Sequence, residues 1–373
     1  MRIAISINRS WNIYNFRSGL VKALIAEGHE VIAIAPKDEF SQRLMKMGCR
    51  FFPLEVENTG SNPLKDISLF LEYKKIYKKI QPDIVLQYTI KPNIYGTLAA
   101  KQLSIPVINN VSGLGTVFLN NGIVSYVARS LYKIAFRNTD LVFFQNPDDR
   151  EEFLSKIQIP NLKTELLPGS GIDLSRFIPK SRSNGQAFTF LMISRIIKDK
   201  GVYEYVEAAR QAKKKNIKAK FQLLGETDVN HRRGIRTQEL QSWIGDGTID
   251  YLGVTDQVDD MIKEADCIVL PSYREGTPRT LLEGAAMGKP IIATDVPGCR
   301  QVVLEGKNGY LCKAKDSQSL YEALNRMYRQ DKSTLREMGL NGREIIEKTF
   351  DENIVIQRYL HWIGQLSKDS INQ

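Results

Sequence analysis

Apolar runs of four to six residues recur along the chain, each bounded by polar or glycine-containing segments. Most are followed by a stretch whose apolar positions return every three or four residues. The first run, residues 2–7 (RIAISI), is nearly continuous rather than alternating, as in a strand buried on both faces. A polar and aromatic loop is expected at 8–15. Phe16, Leu20 and Leu24, with Val21 beside them, then place one apolar stripe on a helix over 16–27, which Gly28 ends. The same reading gives strands at 30–35, 50–54, 83–87, 106–110, 141–145 and 164–167, and helices at 41–47, 69–80, 93–103, 126–137 and 148–156. Strands and helices taking turns in this way predict a doubly wound parallel sheet.

Pro168-Gly169-Ser170-Gly171-Ile172-Asp173 and the polar residues through Gly185 interrupt that rhythm, and this is the best linker. Alternation restarts at 188–193. A helix over 202–216, a strand at 220–224, a helix over 236–244, an apolar stretch at 249–253 and a helix over 257–265 follow. The run Cys267-Ile268-Val269-Leu270 then leads through a loop at 272–278 to a helix over 280–287 and a strand at 290–294. Helices over 318–329, 335–348 and 354–366 close the chain. The two halves share one organisation, so the expected architecture is α/β: two doubly wound parallel-sheet domains facing each other across a cleft.

With 373 residues the chain can build two cores, and 42% hydrophobic with 25% charged residues suits a soluble globular protein. The net charge of +10 would serve nucleic acid, anionic lipid or an anionic substrate, or only an ordinary basic surface. No nucleic-acid-binding module accompanies it, so nucleic acid is not an expected partner. Cys49, Cys267, Cys299 and Cys312 form no CxxC pair, which fits a reducing cytosol better than a disulfide framework. The N-terminus opens directly on a strand without the apolar stretch of a secretory signal. No uninterrupted run approaches the roughly 18–20 apolar residues of a spanning helix. The expectation is a protein that is soluble or peripherally attached to a membrane.

Candidate chemistry lies in the second half. Glu275 sits on a loop after an apolar strand, and Glu283 on the helix that follows. Ligands of open parallel sheets bind outside the carboxyl ends of strands. Backbone N–H groups around residues 276–280, at a helix start, suit an anion. Arg195 and Lys200 follow the first strand of this half; a guanidinium and an ammonium there suit a diphosphate, or are surface charges on a βα loop. Together these groups point to a ligand both hydroxylated and phosphorylated, which a nucleotide sugar satisfies. Gly113-Leu114-Gly115 and Gly169-Ser170-Gly171 lack the third glycine of a dinucleotide fingerprint. There is no Walker motif, no D-x-D, and no His/Cys cluster with metal spacing, so no metal is expected. His29, His231 and His361 receive no catalytic role.

Ser194-Arg195, Lys198-Asp199-Lys200-Gly201, Leu223-Leu224-Gly225, Tyr251-Leu252-Gly253, Glu275-x7-Glu283, Gly288-Lys289-Pro290 and Asn308-Gly309 occur in this order, after Gly171-Ile172-Asp173. In that order and spacing they resemble the retaining, GT-B-fold glycosyltransferases of family 4, with two Rossmann-like domains. Tyr88-Thr89-Ile90-Lys91-Pro92-Asn93 and Val111-Ser112-Gly113-Leu114-Gly115-Thr116 are similar to the branch that extends lipid-linked sugars, such as the undecaprenyl-diphosphate-linked-saccharide N-acetylgalactosaminyltransferases. The resemblance implies an acceptor-binding domain over 1–168, a nucleotide-sugar-binding domain over 169–353, and a last helix, about 354–373, packed back onto the first. It implies that Arg195 and Lys200 hold the donor diphosphate, Glu283 the ribose hydroxyls and Glu275 the donor sugar. Gly276, Thr277 and Pro278 would shape the loop, with Arg279 and Thr280 beside the phosphates, and Gly225, Gly253 and Val254 would frame the nucleotide. Asn12, Lys91, Asn93, Gly113 and Gly115 would lie on the acceptor side.

The activity so implied is retaining, metal-independent transfer of a sugar, an N-acetylhexosamine, from a UDP-sugar co-substrate to a polyprenyl-diphosphate-linked saccharide. It belongs to surface polysaccharide or glycan assembly, in the cytoplasm and peripherally at the inner face of the cell membrane, with no cofactor. Alternatives are a transferase of the same fold acting on a lipopolysaccharide-core or soluble acceptor, or a non-catalytic nucleotide-sugar-binding partner protein; the intact Arg195, Lys200, Glu275 and Glu283 argue against the last. One departure is Pro278, where many relatives carry glycine and so keep an N–H that proline lacks. Two basic, aromatic stretches, 72–80 and 126–137, the latter preceded by Val117-Phe118-Leu119, would suit an anionic membrane surface, or be helices packed on the sheet with solvated basic faces.

Overall fold

Arg2–Ser6 (β1), Glu30–Ala35 (β2), Arg50–Pro53 (β3), Ile84–Tyr88 (β4), Val107–Val111 (β5), Leu141–Phe144 (β6) and Thr164–Leu166 (β7) pair in the order β3-β2-β1-β4-β5-β6-β7, all parallel. The apolar runs make this arrangement. Ile3, Ala4 and Ile5 are all fully buried, Ile3 and Ile5 in the layer on one face and Ala4 in the layer on the other. The structure, a computed structural model, describes residues 1–56, 62–114, 118, 122–137, 139–180, 187–228 and 233–371, without the side chains of 369–371. Two compact units divide the chain, one formed by Met1–Ser170 with Glu352–Gln373, the other by Gly171–Asp351.

Helices Ser10–Ala26 (α1) and Glu39–Lys46 (α2) cover one face of the first sheet, and Pro63–Ile80 (α3), Thr97–Lys101 (α4), Ile123–Phe136 (α5) and Pro147–Ile157 (α6) the other. A π-helical turn, Pro92–Gly96, leads into α4, so the helix expected over 93–103 is partly π. α1 starts at Ser10, inside the stretch expected to be a loop. Its cap is tertiary: Asp38, beyond β2, accepts from the Trp11 N–H (3.2 Å), and the Ser10 hydroxyl donates to the Pro36 carbonyl (2.6 Å). No local sequence signal records such a cap. α3 starts at Pro63 rather than 69, because the Asn62 side chain accepts from the N–H groups of Leu64 and Lys65 and proline suits the first helical position.

The second unit holds Phe188–Ile193 (β8), Ala219–Leu224 (β9), Asp250–Tyr251 (β10), Cys267–Leu270 (β11), Ile291–Thr294 (β12) and Gly309–Cys312 (β13), parallel in the order β10-β9-β8-β11-β12-β13. Val202–Lys214 (α7), Thr237–Gly245 (α8), Val258–Glu264 (α9), Arg279–Ala286 (α10), Ser317–Tyr328 (α11) and Lys332–Thr349 (α12) cover it. β13 was not expected. It begins at Gly309, where an added Cβ would lie 1.9 Å from the Ile291 carbonyl oxygen, so only glycine allows the approach.

The last helix, Glu352–Ile371 (α13), belongs to the first unit. Val355, Ile356, Tyr359, Ile363 and Leu366 join the layer built from β1 and α1, and the Tyr359 hydroxyl accepts from the Asn110 amide (3.0 Å). Among the described residues no helix is long and apolar enough to cross a membrane.

Candidate active site

In a doubly wound sheet the chain leaves one strand in each direction at a switch point, and the loops there diverge and open a crevice. In the second unit β8 and β11 are neighbours at that point. The loop after β8 carries Arg195 and Lys200; the loop after β11 carries Glu275. The structure joins two of these groups. Lys200 Nζ lies 2.5 Å from Glu275 Oε1, with side-chain exposures of 22% and 12%. A pair this sheltered is worth more than a surface ion pair, and removing either partner strands the other. Arg195 is exposed, and among the described residues its guanidinium has no ion-pair partner.

Backbone contacts hold the Glu275 loop from both sides. Gly201 (φ +75°) lies so close to Pro271 that an added Cβ would sit 2.1 Å from its carbonyl oxygen. Gly298 (φ +84°), after β12, would place a Cβ 2.4 Å from the Gly276 carbonyl oxygen. The Tyr273 N–H donates to the Asp199 carbonyl (2.9 Å), the Tyr273 hydroxyl to Glu204 (2.8 Å), and the Thr294 hydroxyl to the Ser272 carbonyl. Spacing of carboxylates along the chain gave no hint of this clamp, whose parts come from three loops.

On the other side of β8 the ends of β9 and β10 line up with it. The Gly225 N–H donates to the Gly253 carbonyl (2.7 Å), and a Cβ on Gly225 would lie 1.8 Å from the Ser194 carbonyl oxygen. Gly225, Gly253 and exposed Val254 therefore border the same carboxyl edge as Arg195.

Pro278 is buried and occupies the N-cap of α10. Its carbonyl accepts from Leu281 N–H (3.1 Å), so the residue starts the helix with the oxygen that proline keeps rather than the N–H it lacks. The helical N-terminus thus begins at Arg279 and Thr280, while Gly276 and Thr277 are loop residues, fewer helical donors than the sequence suggested. Arg279 was expected beside the phosphates. In this structure its guanidinium turns along its own helix, Nε donating to Glu283 Oε1 (3.0 Å).

Burial pushes the Glu283 carboxyl above its ordinary value, against the charges of Arg279 and Arg176. Arg176, which the sequence reading missed, also donates to the Asp256 carbonyl (2.8 Å). A raised carboxyl binds its proton more readily folded than unfolded, so its own contribution to stability grows as pH falls through that raised value. Hydroxyl recognition by an ionised Glu283, the role that the resemblance implies for it, would run the other way and be lost as pH falls. Replacing Arg279 with methionine removes an opposing charge, so the acid limb of nucleotide-sugar affinity should move to higher pH. Calorimetric Kd values across pH 5–8 on both proteins check this; superimposable profiles refute it.

The residues expected on the acceptor side lie in the first unit. Lys91 pairs with Asp66 (2.9 Å), each side chain 15% exposed. Asn93 is buried, donates to the Asn110 carbonyl (2.9 Å) and accepts from the Asn109 amide (3.1 Å). Asn12, expected in a loop, lies in the first turn of α1, its amide against Asn8 (3.3 Å). Gly113 follows β5 with φ +143°; Gly115 lies outside the described residues, as does His231. A small pocket at this end of the unit, lined by Arg17, Tyr88, Asn110, Ser170 and Glu352 among others, was not foreseen. Arg17 is buried with its guanidinium 3.9 Å from the Tyr88 ring centroid.

Two parallel α/β units, the second presenting cations and carboxylates at its switch point, define a GT-B glycosyltransferase. The comparisons agree. Residues 175–345 match the family model "Glycosyl transferases group 1" and residues 2–146 match "Glycosyl transferase 4-like". The chain is 30% identical to N,N'-diacetylbacillosaminyl-diphospho-undecaprenol alpha-1,3-N-acetylgalactosaminyltransferase of Campylobacter jejuni, over 99% of this chain and 100% of that protein. It is 25% identical to UDP-Gal:alpha-D-GlcNAc-diphosphoundecaprenol alpha-1,3-galactosyltransferase of Escherichia coli, over 77% and 76% of the two chains. Anabaena Alr3699/HepE, solved in complex with UDP and glucose, superposes with a TM-score of 0.80 at 17% identity, over 98% of this chain and 100% of that one. The chain belongs to the family-4, group 1 glycosyltransferases, and the protein is a glycosyltransferase.

Proposed function

We propose that the protein transfers a sugar, an N-acetylhexosamine, from a UDP-sugar to a polyprenyl-diphosphate-linked saccharide at the cytoplasmic face of a membrane, with retention of configuration and without a metal. The observation that carries the donor half is the Lys200–Glu275 pair at the β8/β11 switch point, beside Arg195. The names of the Campylobacter and Escherichia relatives support the acceptor class, and the second of them the UDP donor.

As the donor enters, Lys200 exchanges the Glu275 carboxylate for the diphosphate, where Arg195 joins it. Glu275, released, accepts hydrogen bonds from the hydroxyls of the donor sugar. Glu283 accepts from the ribose. The acceptor hydroxyl attacks the anomeric carbon from the side that the diphosphate leaves. The bond from that carbon to the β-phosphate oxygen breaks, and the hydroxyl proton passes to the leaving phosphate. The products are UDP and a saccharide one sugar longer. Arg195 and Lys200 stabilise the charge that grows on the leaving group, Lys200 from the sheltered position in which it is already held. Absence of a D-x-D pair from the sequence supports the metal-free reading.

Thermal unfolding against a panel of nucleotide sugars tests the donor: the right one at about 100 times its Kd should stabilise by about 2.7 kcal/mol. Transfer of a labelled sugar from that donor to a short prenyl-diphosphate disaccharide, with EDTA present, tests the rest. A flat panel, or hydrolysis without transfer, refutes the assignment.

A further inference from the structure

Large apolar side chains left exposed are unevenly distributed. Of the fifteen among the described residues, eight fall on α3 and α5, both in the first unit. On α3 they are Leu64, Ile67 and Leu71, exposed by 78%, 58% and 55%. Spacings of three and four put them on one stripe, which Lys75 and Lys78, both exposed, continue along the helix. On α5, Ile123, Tyr126, Val127 and Ile134 form a second stripe with Val124 beside it. Arg129, Lys133 and Arg137 recur at intervals of four, and no acidic residue occurs between Ile123 and Arg137. The inward faces are fully used: Tyr73 and Tyr77 on α3, and Tyr132 and Phe136 on α5, are core. So the basic aromatic stretches named from the sequence bury four of their five aromatics, and most of the exposed aliphatic side chains precede those stretches, in the first turns of the same two helices.

Both helices pack against the π turn and α4, so they flank α4 on one face of the sheet. Both also begin at the sheet's carboxyl edge. The Asp66–Lys91 pair fixes this for α3, tying its first turn to the residues just after β4. The apolar turns therefore lie at the edge where a parallel sheet presents its ligand loops.

We propose that the exposed faces of α3 and α5 together dock on a bilayer surface containing anionic lipid. Apolar stripes bordered by Lys and Arg are the pattern of helices lying in a membrane interface. The occupant follows from charge. A second copy of the chain would press the cations of α5 against their equals, whereas anionic headgroups meet them while the aliphatic side chains enter the acyl boundary. The proposal rests on the reading of the acceptor as lipid-linked, and gives that reading its geometry: the carboxyl edge of the first unit faces the lipid that carries the substrate.

The test uses the full chain and vesicles without donor or acceptor, so its failure is separate from a failure of the transfer reaction. Sedimentation with phosphatidylglycerol/phosphatidylcholine vesicles should show binding that weakens as salt shortens the Debye length from about 10 Å to about 3 Å. The double variants Ile123→Glu/Val127→Glu and Leu64→Glu/Ile67→Glu should each bind about tenfold less, with Tm unchanged because these side chains are exposed. Lys133→Glu/Arg137→Glu should abolish the preference for anionic vesicles. All should keep wild-type kcat on a water-soluble short-chain acceptor and show a raised KM on the vesicle-embedded one. Wild-type protein that ignores the vesicles overturns the proposal. So do variants that bind as well as wild type, or a lipid-free dimer that the glutamates dissolve, which would assign the face to a second copy.

Discussion

Lys200→Ala will lower kcat for sugar transfer by about 10²–10³-fold, the typical loss when one preorganised charge stabiliser is removed from an active site. Glu275→Gln, which keeps the shape and loses the charge, will lower it by about 10²-fold. The two losses will not add. In the unliganded site the side chains are one unit, Nζ 2.5 Å from Oε1, and groups in direct contact couple when mutated. Each single variant also leaves a sheltered partner without its counter-charge, at a cost of about 1–3 kcal/mol, so the double variant should be the more stable protein per site removed. Steady-state kinetics with the donor that the thermal panel selects will separate kcat from KM. Wild-type kcat/KM in both single variants would exclude the pair from the reaction.

The second large effect concerns stability. Gly201→Ala will destabilise the second unit by more than about 3 kcal/mol, among the larger single-site losses known. Two penalties combine: a left-handed backbone at φ +75° and a Cβ 2.1 Å from a backbone oxygen that has no flexible end to move. For a domain of this size that is a fall in Tm of roughly 6–12 °C. Gly247→Ala is the control. Its φ is also positive (+68°), but a Cβ there meets nothing within 4 Å, so it should cost only the conformational term, about 1–2 kcal/mol. Gly298→Ala should be intermediate in stability and disproportionate in kcat, because the atoms it displaces are the Glu275 and Gly276 carbonyls. Differential scanning calorimetry ranks the three. Equal losses for Gly201→Ala and Gly247→Ala would mean that the contact with Pro271 does not brace the loop.

Much of this was legible before any coordinates. The apolar runs fixed nearly every strand, because a strand buried on both faces is close to apolar throughout, as β11 is over its whole length and β1 is from Ile3 to Ile5. The alternation with helices determined parallel pairing. Candidate chemistry was legible where a side chain type, a strand end and a helix start coincide, which is how Arg195, Lys200 and Glu275 were singled out. Boundaries were less so where the partner is remote: α1 begins early because Asp38 reaches it from another loop, and β13 escaped because its defining residue is a glycine with no side chain to count.

The sequence by itself determined the class of fold, the two-unit plan, the membership of the family and the charged residues at the ends of β8 and β11. These are properties of local pattern and order along the chain, and local pattern survives without a third dimension. Tertiary structure alone decided which charges meet. It paired Lys200 with Glu275, turned Arg279 towards Glu283, buried Asn93 behind β5, and gave Pro278 its place at the start of α10. It also left the aliphatic stripes of α3 and α5 bare while covering most of their aromatics. For Lys200, Asn93 and the bare faces the reason is the same: an ion pair, a hydrogen bond or a buried face needs two partners, and the second comes from a distant part of the chain or, for a bare face, from none of the described residues; Arg279 and Pro278 find theirs within α10, but only the fold shows which local contact forms.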